Sequence, residues 1–87
     1  MTYAVLLTPE ARADLVQLDA SVRSRLLDKL DWMGINADLL RHEALQGEKW
    51  RDCYRYRVGD YRIIYRLQQS QSRVVVLRVV HRREAYR

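Results

Sequence analysis

The chain has one cysteine, Cys53, and two histidines, His42 and His81, among its 87 residues. A single cysteine excludes an internal disulfide and any multi-cysteine metal site, which fits the reducing cytoplasm. Two histidines so far apart, with one cysteine, do not give the ligand spacing of a zinc site. We therefore expect a cytoplasmic protein that holds no metal and no other cofactor.

Several common catalytic and targeting segments are also missing. The sequence has no Gly-rich phosphate loop, no serine nucleophile elbow and no evident carboxylate dyad. Its N-terminus lacks the basic and apolar regions of a signal peptide, and no apolar stretch approaches the length of a membrane span. The sequence thus predicts no membrane partner and excludes the commonest phosphate-loop and serine-nucleophile enzymes.

Arginine is the residue type that the chain has in excess. Fourteen of its sixteen basic residues are Arg, and the other two are Lys29 and Lys49. Residues 1–49 hold six Lys/Arg and eight Asp/Glu, a net of −2, whereas residues 50–87 hold ten Arg and three acids, a net of +7. Because the planar guanidinium matches phosphate and stacks on bases, this bias favours a nucleic-acid partner. The alternative is a solvated charged face on a small domain.

The predicted elements begin with a strand and two helices. The apolar run at residues 2–7 has strand length and predicts an internal strand. Thr8 is an N-cap for a first helix that begins with Pro-Glu and extends to about Leu18. A second helix follows from Val22 to Met33, with Gly34 as the C′ residue.

Three antiparallel strands complete the prediction. Two of them lie at residues 53–67 around a turn at Val58-Gly59-Asp60, and the third extends from Arg73 to about His81 as a central strand. Strict alternation in the third strand puts Val75, Leu77 and Val79 on one side and Val74, Val76, Arg78 and Val80 on the other. Residues 1–87 are thus expected to form one α+β domain, with the helical hairpin packed on one face of a small twisted sheet.

The hairpin alternates tyrosine and aliphatic residues with arginine. Because the pattern repeats every two residues, the core side of the hairpin receives Tyr54, Tyr56, Tyr61 and Tyr65, and a stripe of guanidinium groups lies on the uncovered face. The stripe comprises Arg55, Arg57 and Arg62, is extended by Arg66 and Arg78, and ends near Arg82 and Arg83 beside the hairpin. Guanidinium groups around one phosphate can stabilise the charge of a pentavalent transition state. Alternatively, some of these arginines pair with Asp52, Asp60 or Glu84.

Two residues near the C-terminus could add chemistry to this stripe. Tyr86 follows the arginine pair and is able to stack on a base or contact a sugar hydroxyl. His81 is a candidate acid or base, since the unperturbed pKa of histidine lies near neutrality.

These residues together resemble the RelE/ParE superfamily of bacterial toxins, and its RelE branch in particular. The strongest matches are Arg55-Tyr56-Arg57-Val58-Gly59-Asp60-Tyr61-Arg62-Ile63-Ile64-Tyr65 and the segment from Val76 to Tyr86, which ends His-Arg-Arg-Glu-Ala-Tyr. The resemblance implies a toxin that cuts messenger RNA in the ribosomal A site, where the 2′-OH attacks the adjacent phosphate. It also implies a RelB-like cognate antitoxin that covers the basic face, and promoter DNA bound only through the antitoxin complex.

The resemblance assigns roles to single residues. Arg55 and Arg57 match two basic residues of the first hairpin strand. Arg62 matches an arginine that holds the scissile phosphate. Arg82 matches the arginine near the end of the last strand, and Tyr86 matches the stacking tyrosine. The best-studied pattern has lysines at the positions of Arg55 and Arg57, and arginine cannot give up a proton as lysine can. The proton acceptor therefore stays open among His81, Lys49 and Tyr86, and Arg83 is an alternative to Arg82.

Two other functions compete with this hypothesis. A ParE-like toxin would inhibit DNA gyrase without nuclease activity. It would not need the combination of Arg62, Tyr86 and one of the pair Arg82 and Arg83. A plain RNA- or DNA-binding module would show salt-dependent affinity and no product.

Overall fold

The computed structural model describes residues 2–84, which form two helices and a five-stranded mixed sheet. The elements are β1 (Ala4–Leu7), α1 (Pro9–Val16), α2 (Ala20–Ile35), β2 (Glu43–Ala44), β3 (Cys53–Val58), β4 (Tyr61–Gln68) and β5 (Arg73–His81). The predicted α+β class is confirmed, and the structure adds the two-residue strand β2 before the hairpin. Within residues 2–84 no helix is long and apolar enough to span a membrane.

The strands lie in the order β1-β5-β4-β3-β2. β5 is central, as its apolar run predicts, and pairs in parallel with β1 from Ala4↔Arg73 to Leu7↔Val76. The remaining neighbours are antiparallel. The prediction that the N-terminal strand is internal is wrong, because β1 forms an edge of the sheet. It is apolar because Val5 and Leu7 pack into the core beneath the helices.

The start of α1 is fixed by Thr8, as predicted. The Thr8 hydroxyl accepts a hydrogen bond from Ala11 N at 3.1 Å and donates one to Leu77 O at 2.9 Å. The first bond caps the helix, and the second attaches that cap to β5. The helix ends at Val16, about half a turn before the predicted end.

Gly34 lies inside α2 rather than after it, so its prediction as a C′ residue is wrong. A Cβ at this position would lie 2.7 Å from Tyr3 O and 2.8 Å from Val5 Cγ2. The Gly34 carbonyl also accepts a hydrogen bond from Tyr3 N at 2.8 Å. The glycine is therefore required by the close approach of α2 to the β1 strand.

The core lies between the helices and one face of the sheet. Tyr65 and Ile63 are fully buried there, and Tyr54, Tyr56 and Tyr61 pack against the same cluster, which confirms the predicted parity of β3 and β4.

The predicted alternation of β5 is wrong beyond Leu77. The β4–β5 register shifts there, so that Ile64 pairs with Arg78 but Tyr65 pairs with Val76. An extra residue in one strand reverses the faces of those that follow. Val79 consequently joins the core beneath the helices, whereas Leu77 and Val80 lie on the opposite face with Ile64.

Candidate nucleic-acid interface

The sheet face that the helices leave open carries a small apolar cluster bordered by arginines. Ile64 and Val80 form the buried centre of this cluster, and Leu45, Trp50 and Leu77 pack against it. The arginines come from the alternate positions of β3 and β4, which strand geometry turns to this side. We call Arg55, Arg57, Arg62 and Arg66 the arginine face.

Two members of the arginine face oppose each other directly. Arg57 pairs with Arg62 in the β3–β4 ladder, next to the turn at Gly59 and Asp60. Side chains in such pairs have Cβ atoms about 4.5–5.5 Å apart, and opposed like charges destabilise a sheet. Arg62 Nη1 donates to Gly59 O at 3.2 Å and to Tyr61 O at 3.0 Å, which fixes its guanidinium beside the turn. This pair is suited to an anion that bridges both groups.

Arg55 already holds a carboxylate of the same chain. Its Nε donates to Glu43 Oε1 at 2.9 Å, and its Nη2 contacts the same oxygen. Arg57 Nη2 lies 4.0 Å from that oxygen. The hydrogen bond to Arg55 holds the pKa of the Glu43 carboxyl below its usual value, and burial opposes this effect.

The end of β5 lies beside the hairpin turn, as the sequence predicts. Arg82 N donates to Asp60 O at 2.7 Å, and Arg82 Nε lies 3.7 Å from Asp60 Oδ1. The pairing of an arginine with Asp60 is the alternative that the sequence left open, and the structure shows it for Arg82. Arg83 follows it and is exposed. Arg82 and Arg83 thus lie at the turn end of the arginine face, next to Arg62.

Arg78 opposes Ile64 in the β4–β5 ladder and so starts on the open side of the sheet, but its guanidinium is held by α1. Its Nε and Nη2 donate to the two carboxylate oxygens of Asp14 in α1, at 2.7 and 3.1 Å, and Asp14 Oδ2 also accepts from Val79 N at 2.9 Å. The hydrogen bond to Asp14 raises the pKa of Arg78. Asp14 can reach Arg78 because β1 pairs with β5 only from Arg73 to Val76, which leaves the later edge of β5 open to α1.

Both histidines lie away from the arginine face. His81 pairs with Tyr61, their rings meet edge to face at 5.3 Å, and His81 Nδ1 accepts a hydrogen bond from Arg83 N at 3.2 Å. His42 Nε2 donates to Ala37 O at 2.8 Å, so its Nδ1 accepts from the hydroxyl of the buried Tyr65 at 2.6 Å. Both rings thus contact tyrosines of the helix side.

A groove of about 270 Å³ opens beside Arg55. It is bordered by Ala44, Leu45, Gln46, Trp50 and Arg55. The Lys49 ammonium lies 5.3 Å from the centre of the Trp50 ring, which puts the lysine near this groove. Arg66 lies farther along β4, where its Nη2 approaches Cys53 Sγ at 3.9 Å. Tyr86, the predicted stacking residue, lies outside the described residues.

Sequence reasoning missed two acidic residues that decide which arginines are available. Glu43 falls in the irregular region before the hairpin and Asp14 in the first helix, and neither position has a local pattern that indicates an arginine partner. The one sequence feature that indicates such partners is the excess of arginine over acid in the C-terminal half, because most of those arginines can find an acid only in the N-terminal half.

The chain is similar to known toxins in sequence and in fold. A sequence model of the family described as the ParE toxin of type II toxin-antitoxin system, parDE, matches residues 5–86. Toxin RelG from Mycobacterium tuberculosis (strain ATCC 25618 / H37Rv) is 32% identical over 91 residues, which cover 100% of this chain and 99% of RelG.

Two solved toxin–antitoxin complexes contain a chain of the same fold. In the RelBE2 complex from Mycobacterium tuberculosis, the match has a TM-score of 0.83 and 27% identity and covers 93% of this chain and 92% of that one. In the archaeal RelE-RelB complex from Pyrococcus horikoshii OT3, it has a TM-score of 0.75 and 25% identity and covers 98% and 100%. The similarity therefore extends over nearly the whole chain.

Proposed function

The chain belongs to the RelE/ParE superfamily of type II toxin–antitoxin toxins, and we propose that it is a ribosome-dependent endoribonuclease that cleaves messenger RNA in the A site. In this reaction the 2′-oxygen bonds to the adjacent phosphorus and its proton passes to a base. The bond from phosphorus to the 5′-oxygen breaks, and that oxygen takes up a proton. The products are a cyclic phosphate and a free 5′-hydroxyl.

The observation that carries this proposal is the direct opposition of Arg57 and Arg62 on the open face. Two like charges held together without an anion are unfavourable, whereas a phosphate between them gains charge-assisted hydrogen bonds from both. The phosphate acquires additional negative charge as the fifth oxygen bonds to it. Guanidinium groups already in position therefore stabilise the transition state more than the ground state.

The other members of the site have supporting roles. Arg55, beside Arg57 on β3, and Arg66 bind the RNA backbone along the sheet. Arg82, held beside the turn by Asp60, is next to Arg62 and is assigned to the charge that develops on the leaving oxygen; Arg83 contacts RNA from the same end. Tyr86 is assigned to stacking on a base of the substrate. Arg78 is left out because its Nε and Nη2 are bonded to Asp14.

The arginine face supplies charge but no proton acceptor, since arginine stays protonated in proteins. His81 contacts Tyr61 on the helix side of the sheet, whereas Lys49 lies near the groove beside Arg55. This geometry favours Lys49 over His81 as the base among the described candidates, and Tyr86 is the other candidate. A site without a fixed base depends on the ribosome to position the substrate.

A cognate RelB-like antitoxin is the proposed partner. The relatives from Mycobacterium tuberculosis and Pyrococcus horikoshii were solved in toxin–antitoxin complexes. An acidic segment that folds on binding would cover the arginine face by charge complementarity and exclude RNA. Promoter DNA is then bound through the antitoxin in this complex, and the toxin acts in the cytoplasm.

The test is cleavage of a translated messenger RNA by purified toxin with and without ribosomes, followed by mapping of 5′ ends. We expect cuts in phase with codons, only with ribosomes, and a loss of about 100-fold or more in Arg62→Ala. Arg12→Ala, an exposed arginine of α1, is the matched control and should retain activity. Equal cleavage by the Arg62 variant and wild type would contradict the assigned site.

Inhibition of DNA gyrase is the second candidate, and the family match to a ParE toxin favours it. A gyrase inhibitor would leave transcripts intact and block supercoiling at the same toxin concentration. The two assays on one preparation therefore separate the two functions. A plain nucleic-acid-binding module would give neither effect, only salt-dependent binding.

A further inference from the structure

The chain itself supplies an anion to the arginine face. Glu43 pairs with Arg55 in the β2–β3 ladder, and its Oε1 accepts from two nitrogens of that guanidinium. The same oxygen lies 4.0 Å from Arg57 Nη2. A carboxylate oxygen in an arginine fork occupies the position that a phosphate oxygen would take. Glu43 and an RNA phosphate therefore require the same donors.

The strand that carries Glu43 is weakly attached. β2 has two residues, Glu43 and Ala44, both exposed, and it pairs with β3 at the edge of the sheet. The Glu43 side chain is 49% exposed. Ion pairs of such exposure shift an equilibrium by about fivefold at most. Glu43 can thus leave Arg55 without unfolding the sheet, but it still competes measurably.

We propose that Glu43 is an internal competitor of the RNA phosphate, a carboxylate that occupies Arg55 in the free toxin and must leave before the substrate binds. This inference rests on the proposed function of the same face. When RNA binds, a phosphate replaces the Glu43 oxygen at Arg55 and Arg57. Glu43 therefore lowers the affinity of the free toxin for RNA and acts through Arg55, without contact with the reacting atoms.

The experiment compares Glu43→Gln with wild type in binding to a single-stranded RNA hexamer that carries 2′-O-methyl groups and so cannot be cut. We expect about fivefold tighter binding in the variant. The plot of log K against log salt should also be steeper by about 0.7, the slope expected for one more effective phosphate contact on a single strand. Glu10→Gln removes the same charge in the first turn of α1 and should change neither value.

A double-mutant cycle with Arg55→Ala tests whether the effect passes through that arginine. Adding Glu43→Gln to Arg55→Ala should change RNA affinity by clearly less than fivefold, because the competitor has then lost its hydrogen-bonded donor and keeps only the 4.0 Å contact with Arg57. Equal affinity and salt slope in Glu43→Gln and wild type would overturn the inference, as would an effect of Glu43→Gln that is undiminished without Arg55. Carboxyl NMR supplies an independent readout, in which RNA should return the lowered pKa of Glu43 toward its usual value.

Failure of this inference and failure of the proposed nuclease give different results. If Glu43→Gln tightens RNA binding through Arg55 but wild type cuts no messenger RNA on ribosomes, the competition is supported and the nuclease is not. If wild type cuts RNA and Glu43→Gln binds as wild type does, the nuclease stands and the competition is refuted. If neither protein binds RNA at low salt, the competition is overturned, and the nuclease stands or falls on the ribosome assay.

Discussion

The Arg57–Arg62 pair should destabilise the folded chain when no anion is bound. The two residues oppose each other in the β3–β4 ladder, and opposed like charges in a sheet cost about 0.2–1 kcal/mol. As a check, two unit charges about 8 Å apart in water repel each other by about 0.5 kcal/mol. Glu43 offsets little of this, because it lies 4.0 Å from Arg57 and both side chains are about half exposed. We therefore expect an unfavourable coupling free energy of about 0.5 kcal/mol at low salt.

The measurement is a double-mutant cycle on the free energy of unfolding in urea, with Arg57→Gln, Arg62→Gln and the double variant. The cycle removes the separate effects of Arg62 on Gly59 O and Tyr61 O, which single variants would include. The coupling should fall toward zero at 1 M salt, where the Debye length is about 3 Å. A zero or favourable coupling at low salt, or one that salt does not change, would refute the reasoning.

Three further predictions concern packing, the α1–β5 attachment and acid stability. Gly34→Ala should lower the free energy of unfolding by about 1–3 kcal/mol, because its Cβ would lie 2.7 Å from Tyr3 O and this crowding outweighs the gain in helix propensity; an unchanged or higher urea midpoint would contradict it. Asp14→Ala should lower the free energy of unfolding by about 1–2 kcal/mol, because it removes the bonds of Asp14 to the partly exposed Arg78 and to Val79 N, and the folded variant should match wild type in the cleavage assay. Glu43 has a lowered pKa in the folded state, so it contributes stability above its ordinary value of 4.5 and loses that contribution as the pH falls further. The stability difference between wild type and Glu43→Gln should therefore shrink from pH 7 to pH 3, and a constant difference would show that Glu43 does not act through its charge.

Sequence periodicity was sufficient to assign side chains to the two faces of the sheet where the strand ladder is regular. β3 and β4 pair without interruption from Cys53↔Arg66 to Val58↔Tyr61, so the period of two assigns every side chain to its face. In β5 the same rule fails beyond Leu77, the residue that the shifted register leaves without a partner in β4. Valine and leucine fit either face of a buried strand equally well, so the apolar run contained no signal for the position of the bulge.

The remaining errors come from contacts between residues that are distant in the chain. Gly34 follows an amphipathic helix, as C′ glycines do, and only the packing of α2 on Tyr3 and Val5 shows why glycine is needed inside the helix. Glu43 lies in a two-residue strand, which is too short for any periodicity. The sequence therefore predicted the arginines of the candidate site and Asp60 as a partner, but not Glu43, the acid that occupies Arg55.

The composition of the arginine face would allow one surface to bind both of the proposed ligands, RNA and an acidic antitoxin segment. Arginine stays charged over the whole accessible pH range and binds carboxylate and phosphate in the same planar geometry. The contact between Glu43 and Arg55 shows that a carboxylate fits this fork in the folded chain. An acidic antitoxin segment that reached this fork would therefore displace Glu43 by the exchange proposed for an RNA phosphate. The two ligands would then compete for Arg55 and Arg57, and such competition would inhibit the toxin without a conformational change in the sheet.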